Sequence, residues 1–320
     1  MEKIRPVYIR LLTIYLLLSG TSLAFAQRAY RHEIGIKNDN DVYLLISQDQ
    51  YYTNGVQFYW RQAFDSTKLS SQLLNGSYEI SFGQNIYNSN SAQIKWLGDV
   101  DRPITGYLFA NASVNKFYSN GTMFRLGAEF GMIGPAALGK PIQQSFHDIF
   151  GLYPTAGWEF QLRSAVGVDV QASFLHTLFR NSSQSFDVAL QYDGSLGFNH
   201  TGLLASPIIR LGNINPWHQS AYTNSRITSG IHGAKREFFL YYTPQLHYVV
   251  YDATIQGGFF LNNKGPVSGR PETWQLAHQV GLIYARNHIT FNLHYIFQSR
   301  EIKTMYYRHQ YGSVSFMYQY

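Results

Sequence analysis

Apolar and polar residues alternate with a period of two along most of the chain, from Tyr30 to Tyr320. Successive side chains of a β-strand point to opposite faces, so the alternation predicts strands with one apolar face and one polar or small face. The sequence therefore predicts an all-β protein. The clearest apolar sets are Val56, Phe58 and Trp60; Tyr78, Ile80 and Phe82; Leu276, Val280, Leu282 and Tyr284; and Ile289, Phe291, Leu293, Tyr295 and Phe297.

Turn residues separate the predicted strands. Ser119-Asn120-Gly121 is a hairpin signal of the Asn-Gly type, and residues 285–288 form a second tight reversal. Longer polar segments, such as residues 213–235 and 262–273, alternate with these short turns, which is typical of transmembrane β-barrels. A membrane strand needs about 9 to 11 residues, so the chain has room for about twelve antiparallel strands. The last strand ends on the aromatic Tyr320, which resembles the end signal of bacterial outer-membrane barrels.

The first 26 residues have the layout of a cleaved secretory signal. A basic start is followed by an apolar run at residues 11–18 and by Ala24-Phe25-Ala26 in front of Gln27. Residues 27–320 contain no domain boundary or internal repeat that we recognise, so we predict one barrel domain. No stretch of eighteen apolar residues follows the signal, which excludes helical membrane spans.

The composition favours a protein whose outer surface contacts lipid. Aromatic residues make up 16% of the chain and charged residues only 14%, with 25 Tyr and 22 Phe. Tyr and Trp are enriched at the two interfaces of membrane barrels. An exported β-sandwich or carbohydrate-binding protein is the alternative. The absence of cysteine excludes disulfides, thiolate metal sites and cysteine nucleophiles, and a net charge of +6 is too small to indicate nucleic-acid binding.

One segment, residues 134–151, interrupts the strand pattern. Pro141 can open a helix at its first position and Gly151 can close it, so we predict a short helix over residues 141–150. Gln143 and His147 are four residues apart and would share one face of this helix. The helix would hold this polar pair rigidly at the rim of the barrel or inside its mouth.

A second unusual stretch, residues 38–55, is rich in acids and amides. It begins with Asn38, Asp39, Asn40 and Asp41, and Asp49 follows shortly before Tyr52-Thr53-Asn54-Gly55. Carboxylates and amides beside apolar strands are costly to bury without a cation or hydrogen-bonding partners. The alternative is a long solvated hairpin loop, because Asn, Asp and Gly are turn formers.

The candidate chemistry is hydrolysis with a histidine base. Of the 11 histidines, we expect most to fill the lumen or lie at a membrane interface, and His147 differs because it lies on the predicted helix beside Gln143. The chain has no Gly-x-Ser-x-Gly elbow and no His-Glu-x-x-His zinc spacing. What remains is a histidine that activates water, with acids and amides that hold a hard cation to polarise an ester carbonyl.

Four ordered motifs carry a family resemblance. They are the Asn-Asp element with Tyr-Thr-Asn-Gly at residues 52–55, the run Phe-Gly-Gln-Asn-Ile-Tyr at residues 82–87, the run Asp-Arg-Pro-Ile-Thr-Gly-Tyr-Leu at residues 101–108, and residues 133–143 with His147 and Gly157-Trp158. Together they resemble the outer-membrane lipid A 3′-O-deacylase (LpxR) family over residues 34–162. Beyond this range only barrel-like strands are similar.

The resemblance implies a monomeric twelve-stranded barrel in the bacterial outer membrane that removes the 3′-linked acyloxyacyl group of lipid A in lipopolysaccharide. The reaction would be a calcium-dependent ester hydrolysis, at a site between the barrel wall and the outer leaflet. His147 would be the base that activates water, with Gln143 beside it and Thr53 as a polar wall. Lys95 would match the family's lysine, and either Asn38 and Asp39 or Asn40 and Asp41 would lie near the Ca²⁺ ion.

The sequence departs from the family pattern at three points. Lys95 lies one residue off the expected spacing, Ile104-Thr105 replaces the usual Tyr-Ala, and the doubled Asn-Asp pair leaves the register of the first strand open. A non-enzymatic small porin or adhesion barrel is one rival interpretation. An outer-membrane phospholipase A is another, but its His-x-Ser-Asn-Gly type of motif is missing.

Overall fold

The protein is a closed β-barrel of twelve antiparallel strands, which confirms the predicted fold class. The computed structural model describes residues 29–44, 49–230 and 233–320, so the predicted signal at residues 1–26 lies outside the described residues. Each strand pairs with its neighbours in sequence, and β1 pairs with β12 to close the barrel. The strands are β1 His32–Asn40, β2 Tyr52–Ala63, β3 Leu73–Tyr87, β4 Thr105–Tyr118, β5 Thr122–Ile133, β6 Ala165–Arg180, β7 Phe186–Gly197, β8 His200–Asn213, β9 Glu237–Asp252, β10 Trp274–Arg286, β11 Ile289–Gln298 and β12 His309–Gln319.

The alternation seen in the sequence separates an apolar outer face from a polar lumen. On β3 the side chains of Tyr78, Ile80 and Phe82 are exposed on the outer face, whereas Glu79 between them is buried inside the barrel. Glu79 and Glu33 both form ion pairs there with the fully buried Arg61. Polar groups of the lumen therefore satisfy one another, while the outer face meets lipid.

We call the end of the barrel that carries Asn40 and Tyr52 the upper rim, and the opposite end, near Tyr320, the lower end. The predicted reversals at residues 119–121 and 285–288 are both tight turns at the lower end, and in the second one residues 285–286 still belong to β10. Residues 213–235 are an exception among the lower turns, because part of this segment folds into the lumen. Trp217 joins an inward cluster with Phe117 and Leu175, and the guanidinium of Arg210 lies 3.4 Å from the centroid of the Trp217 ring system.

In the described part of the chain, two α-helices accompany the strands, α1 at Gly139–Phe150 and the short α2 at Ala253–Gln256. Helix α1 begins two residues before the predicted start, and Pro141 occupies its third position. A proline is tolerated there because the first-turn N–H groups have no partner within the helix. Gly151 ends α1 in the left-handed conformation with φ of 63°, as predicted. None of the helices in the described residues is long and apolar enough to cross a membrane.

Candidate active site

Helix α1 lies against the outer face of the barrel at the upper rim. Gly106, on the outer face of β4, is so close to Gly139 that a Cβ at Gly106 would lie 2.9 Å from the Gly139 nitrogen. Gln84, on the outer face of β3, donates through Nε2 to the carbonyl of Ala137 just before the helix. The absence of a side chain at Gly106 therefore allows α1 to pack directly on the barrel wall.

The inner face of α1 carries Gln143 and His147, and both are buried, as their spacing predicts. Trp158 Nε1 donates to Gln143 Oε1 at 2.9 Å. The other amide atom, Gln143 Nε2, is buried without a hydrogen-bond partner. The helix thus holds one unused amide donor and one imidazole between itself and the barrel wall.

The imidazole of His147 has partners on both nitrogens. Nδ1 donates to the carbonyl oxygen of Tyr153 at 2.7 Å, and Nε2 lies 3.1 Å from Asp49 Oδ2. The hydroxyl of Tyr153 donates to the same carboxylate of Asp49. Asp49 and Tyr153 therefore fix the plane of the ring and its orientation toward β2.

A β-bulge at the start of β2 directs Thr53 toward this site. Tyr52 pairs with Tyr87 and Asn54 pairs with Ile86, so Thr53 is the extra residue in the ladder. Bulges re-aim side chains in this way. Tyr52 points into the lumen, where its hydroxyl donates to Asp39 at 2.7 Å, while Thr53 is buried against the acids next to His147.

Two carboxylates converge on Thr53. Its hydroxyl oxygen is 2.9 Å from Asp49 Oδ1 and 3.2 Å from Asp41 Oδ2. The hydroxyl has one proton, so it can donate to only one of the two acids at a time. Burial raises the pKa of Asp41 to about 8, the N–H of Gln50 opposes the rise by donating to it, and the Asp49 carboxylate adds to it. The carboxylate oxygens of Asp41 and Asp49 around Thr53 would therefore be stabilised by added positive charge.

The four acids and amides at the end of β1 do not act as one cluster. Asn38 lies on the outer face, where Nδ2 donates to the Gly55 carbonyl at 3.0 Å. Asp39 faces the lumen and pairs with Lys37 at 2.9 Å. Asn40 accepts the Val42 N–H at 2.8 Å, and Asp41 begins the 3-10 turn Asp41–Leu44. Of the four, only Asp41 shares a hydrogen-bonding partner with Asp49.

Lys95 is exposed on the connection between β3 and β4. Its neighbour Ile94 packs against Gly157, where a Cβ would lie 3.1 Å from Ile94 Cβ. The contacts of His147 described above run to Asp49 and Tyr153 and do not include Lys95.

The site opens on the side that faces lipid. Helix α1 buries its polar pair and exposes Ile142, Phe146, Ile149 and Phe150. The neighbouring connections expose Val42, Trp96 and Leu97. An apolar surface of this kind beside a buried polar site is suited to a substrate that reaches it from the bilayer.

Sequence and structure comparisons agree on the relationship. The model of the family described as outer membrane protein LpxR matches residues 11–320. The chain belongs to the LpxR family. The solved structure of LpxR from Salmonella typhimurium superposes with a TM-score of 0.71 at 19% identity, covering 90% of this chain and 100% of that one.

Other solved barrels are less similar to this LpxR family member. The translocator domain of autotransporter NalP from Neisseria meningitidis has a TM-score of 0.48 at 11% identity, covering 99% of this chain and 97% of that one. No curated protein sequence matches the chain. Family membership and the barrel together identify an outer-membrane protein.

Sequence reasoning missed three residues of this candidate site. The sequence pattern gives no role to the acid Asp49, and it does not indicate Tyr153 and Trp158 as partners of His147 and Gln143. Asp49 precedes Thr53 by four residues, which is a usable signal once Thr53 is assigned. Tyr153 acts on the imidazole through its backbone carbonyl, and sequence carries no signal for such a contact.

Proposed function

We propose that the protein is a carboxylic ester hydrolase that removes the 3′-linked acyloxyacyl group from lipid A of lipopolysaccharide. One observation carries the proposal: the buried imidazole of His147 meets the carboxylate of Asp49 on the outer wall of the barrel, beside an exposed apolar helix face. Membership of the LpxR family supports the same activity. A lipid substrate can reach this position sideways from the bilayer.

His147 is the general base in this proposal. Because Nδ1 donates to the Tyr153 carbonyl, Nε2 is the atom that takes a proton from water. The hydroxide attacks the ester carbonyl, and the imidazolium then returns the proton to the leaving alkoxide of the sugar. Gln143 Nε2, the buried donor without a partner, is suited to hydrogen-bond the developing oxyanion.

The residues fit a calcium ion on the outer side of the barrel wall. Asp41, Asp49 and Thr53 bring carboxylate and hydroxyl oxygens together, and oxygen ligands are those that Ca²⁺ prefers. When bound, the ion would polarise the ester carbonyl. Asn38, Asp39 and Asn40 were also candidates, but their described contacts run elsewhere, so we assign the cation to Asp41 and its partners.

Mass spectrometry of lipid A provides the test. Membranes from cells that express the wild-type protein should lose the 3′-linked acyloxyacyl group and keep their phospholipids intact. The variant His147→Ala should form the barrel and lose at least about a hundredfold in rate, the lower range for general-base catalysis. His176→Ala, on the outer face of β6, is the matched control and should keep full activity.

Three results would contradict the proposal. Normal deacylation by folded His147→Ala would remove the base from the mechanism. Unchanged lipid A with ion conductance in planar bilayers would favour the porin, and release of phospholipid acyl chains would favour a phospholipase A.

A further inference from the structure

Two carboxylates face each other directly inside the barrel. Glu129 on β5 and Asp169 on β6 are register partners, and both point into the lumen, with Asp169 fully buried and Glu129 8% exposed. Like charges directly opposite on a sheet destabilise it. Arg125, four residues from Glu129 on the same face of β5, pairs with Glu79 instead. Within the described residues, no lysine or arginine forms an ion pair with either acid.

A histidine completes this group, and its backbone N–H already donates to Asp169 Oδ2 at 3.1 Å. His200, from β8, places Nδ1 3.6 Å from Asp169 Oδ2 and Nε2 3.7 Å from Asp252 Oδ1. Both of these ring distances are longer than a hydrogen bond. One ligand atom each from Glu129, Asp169 and His200 lie within 4.8 Å of one another. The three side chains therefore surround a common point.

A buried amide beside the pair also lacks a partner. Asn199 is 2% exposed, and its Nδ2 has no hydrogen-bond partner. The amide lies over Gly167, the lumen-facing residue next to Asp169 on β6, where a Cβ would be 2.9 Å from Nδ2. Its backbone N–H already donates to Asp169 Oδ1 at 2.8 Å. A water held by a cation at the carboxylates would give this amide an acceptor.

We propose that Glu129, Asp169 and His200 bind a divalent transition-metal ion inside the barrel. Two carboxylates and one imidazole suit Zn²⁺ or Mn²⁺ better than Ca²⁺, which takes oxygen ligands alone. The ion would add positive charge between the opposed acids, beside the ring of His200. It also links β5, β6 and β8 across the lumen, and so braces the upper part of the barrel.

This lumenal site is independent of the deacylase proposal. Its ligands point into the lumen, whereas His147, Asp41 and Asp49 lie on the outer wall. Loss of metal from the lumenal site therefore need not affect the outer site. Variants at the two sites can be compared under the same conditions.

The test is metal retention by the full-length folded protein in detergent. The protein is stripped with EDTA, incubated with Zn²⁺ or with Mn²⁺, passed through gel filtration and measured by elemental mass spectrometry. We expect the wild-type protein to retain about one ion per chain. We expect His200→Gln and Asp169→Asn to lose it, and His176→Gln, exposed on the outer face of β6, to keep it.

Thermal unfolding gives the second measurement. Metal should raise the midpoint temperature of unfolding of the wild-type protein and leave that of His200→Gln unchanged. Only the wild type has the complete lumenal site. Heat-modified electrophoretic mobility reports whether each barrel is folded. If Asp169→Asn does not fold, the comparison between the wild type and His200→Gln alone tests the proposal. Retention of neither metal by the wild type, or equal retention by folded His200→Gln, would overturn the proposal.

Discussion

His147 Nε2 lies 3.1 Å from Asp49 Oδ2, while Nδ1 of the same ring donates to the Tyr153 carbonyl. In a neutral ring with its proton on Nδ1, Nε2 is an acceptor, and a carboxylate oxygen is also an acceptor. The close contact is therefore favourable only when a proton lies between the two atoms. In the proposed reaction, Asp49 Oδ2 therefore has to move away before Nε2 takes a proton from water.

In the proposed mechanism, the position of Asp49 thereby decides whether His147 Nε2 is available as a base. Its second oxygen, Oδ1, already accepts from Thr53, next to Asp41. A cation at Asp41 and Thr53 would attract the Asp49 carboxylate and free Nε2 for water. In the structure, the same carboxylate contacts the imidazole through Oδ2 and Thr53 through Oδ1.

We predict that Asp49→Asn weakens both calcium binding and turnover. Removing a partner of this kind typically costs about 10- to 100-fold in metal affinity or activity. The measurement is the rate of lipid A deacylation as a function of calcium concentration in detergent micelles. If the calcium concentration for half-maximal activity (the calcium midpoint) and the maximal rate are both unchanged, Asp49 contributes neither to calcium binding nor to turnover.

Asp41→Asn and Asp39→Asn form a matched pair that locates the cation. Asp41 shares Thr53 with Asp49, whereas Asp39 faces the lumen and pairs with Lys37. We expect Asp41→Asn to raise the calcium midpoint by about tenfold or more and Asp39→Asn to leave it unchanged. The reverse order would place the ion on the first Asn-Asp pair.

The raised pKa of Asp41 predicts a pH-dependent stability in calcium-free protein. Burial raises this pKa from 3.8 to about 8, with a contribution from Asp49, so the folded state keeps a proton that the unfolded state loses. The folded state binds more protons between pH 4 and pH 8, so stability falls as the pH rises through this range and levels off above it.

Thermal unfolding in EDTA checks this sign. Asp41→Asn cannot ionise, so it should be more stable than the wild type, by a margin that grows between pH 5 and pH 8.5. Calcium should reduce this difference in stability between Asp41→Asn and the wild type, because the ion replaces the proton on Asp41. A margin that stays constant with pH, or favours the wild type in EDTA, would show that Asp41 is ionised throughout.

The barrel and the helix could be predicted because each follows from a repeating local pattern. Period-two alternation gives the strands, and the Gln143 to His147 spacing gives a shared helix face whatever the tertiary structure. Neither conclusion requires knowledge of distant contacts. The count of about twelve strands follows from chain length and strand length alone.

The assignment of the acids at the end of β1 could not be made from sequence. Adjacent residues on a strand point to opposite faces, so a slip of one position exchanges lumen for outer wall. Whether Asp39 or Asp41 reaches the site depends on where β1 ends and on the bulge at Thr53. Similarly, polar composition identified residues 213–235 as a loop but does not reveal that Trp217 packs inside the barrel.

The close approach of α1 to the barrel wall gives a last prediction, at Gly106. A Cβ there would lie 2.9 Å from the Gly139 nitrogen and 3.0 Å from its Cα, and backbone atoms cannot move aside as a flexible side chain can. We expect Gly106→Val to displace α1, and with it Gln143 and His147, while the strands still close.

Deacylation of lipid A and heat-modified mobility together test this variant. We expect a folded barrel with activity reduced by about a hundredfold, because a displacement of about 1 Å can have that cost. Gly98→Ala is the control, since a Cβ at Gly98 meets no atom within 4 Å. Full activity in Gly106→Val would mean that α1 need not rest on β4 for His147 to reach its substrate.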